Sequence, residues 1–335
     1  MERTIHQPLD PEILPRLHPE YVAFHNEYIA YVMPNHLQPW DPSVRSRPTV
    51  PGSAEVLQVG SVKDYDLSHC KARVFTPEGV PPEGGWPVYI WYHGGGWTLG
   101  NIDSENGFVS RQCVGAKCVV VTVDYRLGPE SPYPAAVDDS FEALQWVYEK
   151  GNETLGVNPT RLAIGGSSAG GNLAAIVSMK AAQLEPPIPL LLQQLIVPVT
   201  DNTADPSGVP YPSWKELANT PWLNTGRMLW FRDQYLPNKE DWTKWDNSPI
   251  FAPDALLATS PKTWIAVMEL DILRDEGLAY GEKLRKVGVD VSHKVYMRAP
   301  HQILAMDGKL YSVLSLGREL VADAALNLAE AFGTL

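Results

Sequence analysis

The sequence is short of basic charge. Its 335 residues hold 27 Lys and Arg against 39 Asp and Glu, a formal net charge of −12. No cluster of Lys and Arg offsets that balance, and a nucleic acid needs a basic face, so nucleic acid is excluded as a partner. Cysteine is scarce: Cys70, Cys113 and Cys118 are the only three. They have no metal-ligand spacing and cannot all pair, which fits thiols of a reducing compartment acting as small buried hydrophobes. Long apolar runs are missing too. The densest stretches, 118–123 and 195–199, fall far short of the ~18 residues that suggest a membrane span. Residues 1–19 are polar and punctuated by proline, without the apolar core of a signal peptide. A cytoplasmic protein with no membrane span is expected. Neither a Gly-X-Y period, nor sustained heptads, nor an internal repeat occurs, which excludes collagen-like and coiled-coil architectures.

What is present is enough apolar material for a large core, at 44% hydrophobic and 20% charged, and this excludes disorder for most of the chain. Proline is in excess: 30 residues, about 9% against a usual ~5%. Half of them fall in two segments, 1–50 and 200–253. In the first, residues 21–33 read as one helix between prolines, with Val22, Ile29 and Val32 as its apolar positions. From about residue 55, β-rich runs alternate with helical ones. Strands are expected at 88–92, 118–123, 161–164, 190–197, 263–270 and 289–297, and helices at 136–148, 173–182 and 276–287. Val137, Phe141, Leu144 and Val147 mark one face of the first of these helices. This alternation predicts an α/β fold with a mostly parallel sheet covered on both sides. Residues 200–253 break it, with seven prolines, five of the eleven tryptophans and a helix at about 227–235. They read as an insertion. The division expected is one catalytic domain, 51–199 and 254–335, under a cap made of 1–50 and 200–253.

Gly166-Ser167-Ser168-Ala169-Gly170 matches Gly-x-Ser-x-Gly between a strand and a helix. Its glycines let the central serine sit on a strained turn where side chains would collide. Ser168, rather than Ser167, holds that central position. His93-Gly94-Gly95-Gly96 also follows a strand. Successive glycines can turn backbone N–H groups toward one point, as a developing oxyanion requires. A phosphate loop would add Lys and Ser or Thr at P-loop spacing, and none follows. Gly94, Gly95, Gly96 and Ala169, the residue after the nucleophile, are the expected oxyanion donors. A serine nucleophile needs a base, and the base an orienting carboxylate, in the chain order Ser, Asp or Glu, His. Only His293 and His301 lie beyond Ser168. His293 falls on the alternating apolar face of a strand and reads as structural; His301 lies just past that strand and is favoured. Asp271 directly follows strand 263–270, where α/β sites assemble. Asp275 and Glu276 open the next helix, and Glu269 is still within the strand.

These motifs resemble the hormone-sensitive-lipase family of α/β-hydrolases, also grouped as fold-3 carboxylesterases. The resemblance rests on His93–Gly96, Asp124-Tyr125-Arg126-Leu127-Gly128-Pro129-Glu130, Gly166–Gly170, Asp271-Ile272-Leu273-Arg274-Asp275-Glu276-Gly277 and His301, in the family's order, with 228–236 similar to a cap segment of its bacterial esterases. It implies an α/β-hydrolase fold with a helical cap, and Ser168, Asp271 and His301 as the triad. The sequence departs from the family pattern at Ser167 (usually Asp), Gly128 (Ala), Ile272 (Pro) and Gln302-Ile303 (Gly-Phe). The activity expected is hydrolysis of small to medium, uncharged or aromatic acyl esters through an acyl-enzyme. No cofactor or metal is required, and a homodimer is left open. Trp97, Trp222, Met228 and Phe231 are the expected substrate pocket. Two other readings share the fold: a biosynthetic acyltransferase, lactonase or cyclase, and a small-molecule receptor, which in this fold has lost the triad His.

Overall fold

The computed structural model describes residues 3–47, 52–308 and 314–335. Among these residues eight strands form one sheet: β1 (Ser61–Asp66), β2 (Lys71–Thr76), β3 (Trp86–Tyr92), β4 (Val119–Asp124), β5 (Val157–Ser167), β6 (Leu192–Ile196), β7 (Lys262–Leu270) and β8 (Val291–Pro300). Their order across the sheet is β1-β2-β4-β3-β5-β6-β7-β8. β1 with β2 and β2 with β4 are antiparallel; every later pairing is parallel. Among the described residues nine α-helices accompany them: α1 (Pro19–Phe24), α2 (Asn106–Gly115), α3 (Ala135–Leu155), α4 (Ala169–Ala182), α5 (Ser213–Glu216), α6 (Thr225–Tyr235), α7 (Asp254–Leu257), α8 (Arg274–Lys286) and α9 (Ser315–Phe332). This is the α/β fold that the alternation predicts.

The interior strands are buried along nearly their whole length. β3 hides Tyr89, Trp91 and Tyr92 completely, and β4 its run of valines, as β-branched chains covered on both faces do. α3 buries Val137, Leu144 and Val147, and Phe141 packs half-buried beside them. It runs two turns past the expected end, because Gly156 supplies the left-handed cap that stops it (φ 65°).

Three local expectations are corrected. The first helix starts at Pro19 and passes at His25 into a wider turn that ends at Ile29. Its inward face is Tyr21 and Phe24 with Ile29, while Val22 is half-buried and Val32 exposed. Of the three expected positions Ile29 is buried, and two aromatic residues, rather than the two valines, complete the buried face. His293 is exposed and receives an N–H from Arg285 at 2.6 Å. β8 is an edge strand with one uncovered face, where Met297 is 58% exposed, so alternation there does not place His293 in the core. β5 begins four residues before the expected strand and reaches Ser167 itself.

Among the described residues, 3–47 and 200–257 contain no strand. The first segment is held to the rest of the fold at several points, among them His18 and Arg45. His18 N–H donates to the Arg298 carbonyl (2.9 Å) at the end of β8. Arg45 donates to the carbonyls of Thr98 (2.8 Å) and Gly128 (2.7 Å) and to the Glu130 carboxylate (2.7 Å). The second segment connects β6 to β7. No described helix is long and apolar enough to cross a membrane.

Candidate active site

Ser168 stands between the last residue of β5 and the first of α4, at φ 54° and ψ −115°. For a residue with a side chain this backbone costs roughly 1–3 kcal/mol and persists only where its surroundings impose it. The surroundings are explicit. Ser168 N–H is held by the Ile196 carbonyl (2.8 Å), and its own carbonyl accepts from Asn172 (3.0 Å). A Cβ on Gly166 would collide with the backbone of Gly170, and a Cβ on Gly170 with the carbonyl of Tyr92. Both glycines exist because the turn crosses directly against the end of β3.

Two further strand ends complete the group. Asp271 follows β7 and is fully buried. Its Oδ1 accepts the Leu273 N–H (3.0 Å) and its Oδ2 lies 2.6 Å from His301 Nδ1. His301 follows β8, and its Nε2 lies 3.0 Å from Ser168 Oγ. With the Nδ1 proton held by the carboxylate, Nε2 is the acceptor for the serine hydroxyl. Ser168 is 9% exposed and His301 5%, so both are sheltered from bulk solvent. Ser167, the rival serine, points elsewhere: its hydroxyl donates to Glu105 Oε1 at 2.7 Å.

The glycine loop lies beside this line. Gly95 has φ 120° and Gly96 φ 59°, regions that favour glycine. A Cβ on Gly95 would strike the Leu99 carbonyl, and one on Gly96 the ring of Phe231. Among the described residues nothing accepts from the N–H of Gly95, Gly96 or Ala169. Gly94 is a correction: its N–H donates to Glu105 Oε1 (3.3 Å) and is therefore engaged within the protein. His93 is fully buried, stacked on Tyr125 at 4.4 Å, with Nδ1 2.7 Å from the Gly94 carbonyl. Burial pushes its pKa down to about 4, so it is a neutral anchor of the loop.

Sequence reasoning missed Glu105. This residue, also left-handed at φ 62°, accepts from Trp91 Nε1 (2.7 Å) as well as from Gly94 and Ser167. One carboxylate thus joins β3, the glycine loop and the residue before Ser168. Burial pushes its carboxyl upward in pKa, and those hydrogen bonds pull it back. The sequence signal was indirect: Ser167, where the family pattern has Asp, leaves a donor in need of a nearby acceptor.

Of the expected pocket residues, Trp222 is half-buried, and Met228 and Phe231 lie on α6 with little exposure. Phe231 rests on Gly96. Trp97 is corrected: it is completely buried, stacked face to face on Tyr235 at 4.5 Å, and so packs α6 onto the loop below rather than lining an opening.

Comparison with known proteins bears on the family and the fold. The family described as alpha/beta hydrolase fold matches residues 89–305. An AB hydrolase superfamily protein of Schizosaccharomyces pombe is 45% identical over 337 residues, 97% of each chain. Carboxylesterase NlhH of Mycobacterium tuberculosis is 41% identical over 229 residues, 68% of this chain and 69% of that one. Among solved structures, a thermostable esterase from Pseudomonas putida superposes with a TM-score of 0.83 at 30% identity, covering 95% of this chain and 98% of that one. The chain belongs to the α/β-hydrolase family that its motifs resemble.

Proposed function

We propose that the protein is a carboxylesterase whose nucleophile is Ser168, with His301 as base and Asp271 as the group that orients it. The observation that carries this reading is the continuous line Asp271 Oδ2, His301 Nδ1, His301 Nε2, Ser168 Oγ, with gaps of 2.6 and 3.0 Å. Ser168 Oγ attacks the ester carbonyl as its proton passes to Nε2. Asp271 holds the imidazole in the tautomer that can accept it and stabilises the imidazolium that forms. The N–H groups of Gly95, Gly96 and Ala169 receive the carbonyl oxygen as it becomes an oxyanion; such donors contribute about 3 kcal/mol each in the transition state. His301 returns its proton to the leaving alkoxide, and the acyl group stays on Ser168. Water then attacks along the same line, activated by His301, and releases the acid.

The substrates in this reading are small to medium acyl or aromatic esters. Residues 1–50 and 200–253 form the cap. Its support is that Phe231 rests on Gly96 and that Arg45 grips the carbonyl of Thr98 just beyond the glycines.

The test is turnover of p-nitrophenyl acetate, butyrate and decanoate by wild type, Ser168→Ala, His301→Ala and His293→Ala. Wild type is expected to release p-nitrophenol, most readily from the shorter esters. Ser168→Ala and His301→Ala are expected to lose at least about a thousandfold in kcat, and His293→Ala to keep wild-type rates. Neither turnover nor a stoichiometric burst from wild type would defeat the esterase reading. Loss of activity in His293→Ala with survival in His301→Ala would move the base.

A further inference from the structure

Among the described residues, Arg227, in the first turn of α6, is a cation without an anion. Its Nη1 donates to the Trp222 carbonyl (2.8 Å), and Nε is buried with no partner. The guanidinium carbon lies 5.6 Å from the ring centre of Phe231 and 5.8 Å from that of Trp222. Among the described residues no carboxylate pairs with it. Other partly sheltered arginines do have one: Arg73 with Asp64 at 2.7 Å, Arg126 with Asp139 at 2.6 Å, Arg274 with Asp275 at 2.8 Å. A guanidinium cannot shed its charge at neutral pH, and sheltering it unpaired is costly.

The surroundings say where an anion would come from. Phe231, one turn along the same helix, lies against Gly96 of the oxyanion loop. Tyr21, buried on α1, and His36 both lie within electrostatic reach of Arg227. α1 begins where His18 is bound to Arg298, three residues before His301. One neighbour of Arg227 therefore touches the oxyanion side of the site, and another belongs to the helix anchored on the histidine side. The aromatic faces of Trp222 and Phe231 complete a wall that suits a flat or short aliphatic group carrying a negative end.

We infer that Arg227 recognises substrate, and that the preferred ester carries a carboxylate in its acyl or alcohol half. This rests on the esterase reading above and replaces the expectation of an uncharged substrate. A carboxylate in that position pairs with Nε and Nη2 in the forked geometry that guanidinium favours.

Two matched substrate pairs test it. For the alcohol half the pair is 4-acetoxybenzoate and methyl 4-acetoxybenzoate. For the acyl half it is mono-p-nitrophenyl adipate and its methyl ester. In wild type one pair is expected to favour the carboxylate by roughly tenfold or more in kcat/KM, and which pair does so assigns the half. Arg227→Gln, or Arg227→Met if the first variant is insoluble, is expected to bring that ratio close to one. Arg227→Lys is expected to keep part of it. Each ratio uses the same protein's neutral ester as reference, so a loss of folded enzyme cannot imitate it. Equal kcat/KM within both pairs in wild type overturns the inference, as does a preference that survives Arg227→Gln. Absence of turnover on all four esters would instead defeat the esterase reading itself.

Discussion

Glu105 gives the residue scale its sharpest case. Three donors from three places converge on its two oxygens, so removing them strands a buried indole N–H, a backbone N–H and a hydroxyl. Each stranded group costs about 1–3 kcal/mol. Glu105→Ala is therefore expected to lower the melting temperature by several degrees and kcat by about tenfold, with KM changed much less, because the glycine loop and the serine turn lose their common anchor. Differential scanning fluorimetry and steady-state kinetics would check it; an unchanged kcat would mean the loop holds its shape alone. The same scale shows what the sequence made legible. Ser168 could be located by its Gly-x-Ser-x-Gly turn, and Asp271 and His301 because they lie at or just past expected strands in the chain order a serine, acid and histidine take. Glu105 follows no such landmark: it acts through a crossing between β3 and the start of α2 that no local pattern records. Gln302 resolves differently. It does not have a positive φ; the left-handed residue near the histidine is Arg298, at φ 63°. The glycine of the family pattern is therefore not needed after His301 in this chain.

At the scale of elements, the segments without strands were recognisable by proline, but their attachment was not. Proline reports that a chain resists regular pairing; it does not report which carbonyls an arginine thirty residues along will bind. Arg45 makes that attachment, reaching Thr98, Gly128 and Glu130 while stacked on Trp40 at 4.9 Å. Arg45→Ala is expected to speed amide exchange through residues 35–47 with little change in the exchange of β3 to β7. Hydrogen exchange followed by mass spectrometry distinguishes this from a general loss of stability, which would raise exchange everywhere. The His293 expectation failed for a related reason. Alternation identifies which residues share a face of a strand, yet whether that face is covered depends on where the strand falls in the sheet, and β8 falls at an edge.

For the whole molecule, one joint between the sheet's helices and the 200–257 segment is a buried acid. Glu276 on α8 accepts from the N–H groups of Thr200 (2.8 Å) and Asp201 (3.3 Å) and from Trp214 Nε1 (2.9 Å). Burial pushes its pKa up to about 8, from an ordinary 4.5. The folded protein then retains a proton that the unfolded chain releases, so this group lowers stability as pH climbs from about 4.5 to about 8. Glu276→Gln removes the titration, and its melting temperature is expected to fall less steeply than wild type across that window. Parallel slopes for the two proteins would contradict this.

The order of strands has one more consequence. Ser168 is made 133 residues before His301, and β6, buried along its whole length, meets its neighbour β7 only after the 200–257 segment has been synthesised. A nascent chain that has just passed residue 200 therefore carries the proposed nucleophile without its proposed base, on a half-sheet whose apolar open edge faces water. Such an edge is a template for pairing with other chains. Ribosome-bound intermediates of this length should be inert toward esters and should draw chaperones most strongly until β7 emerges.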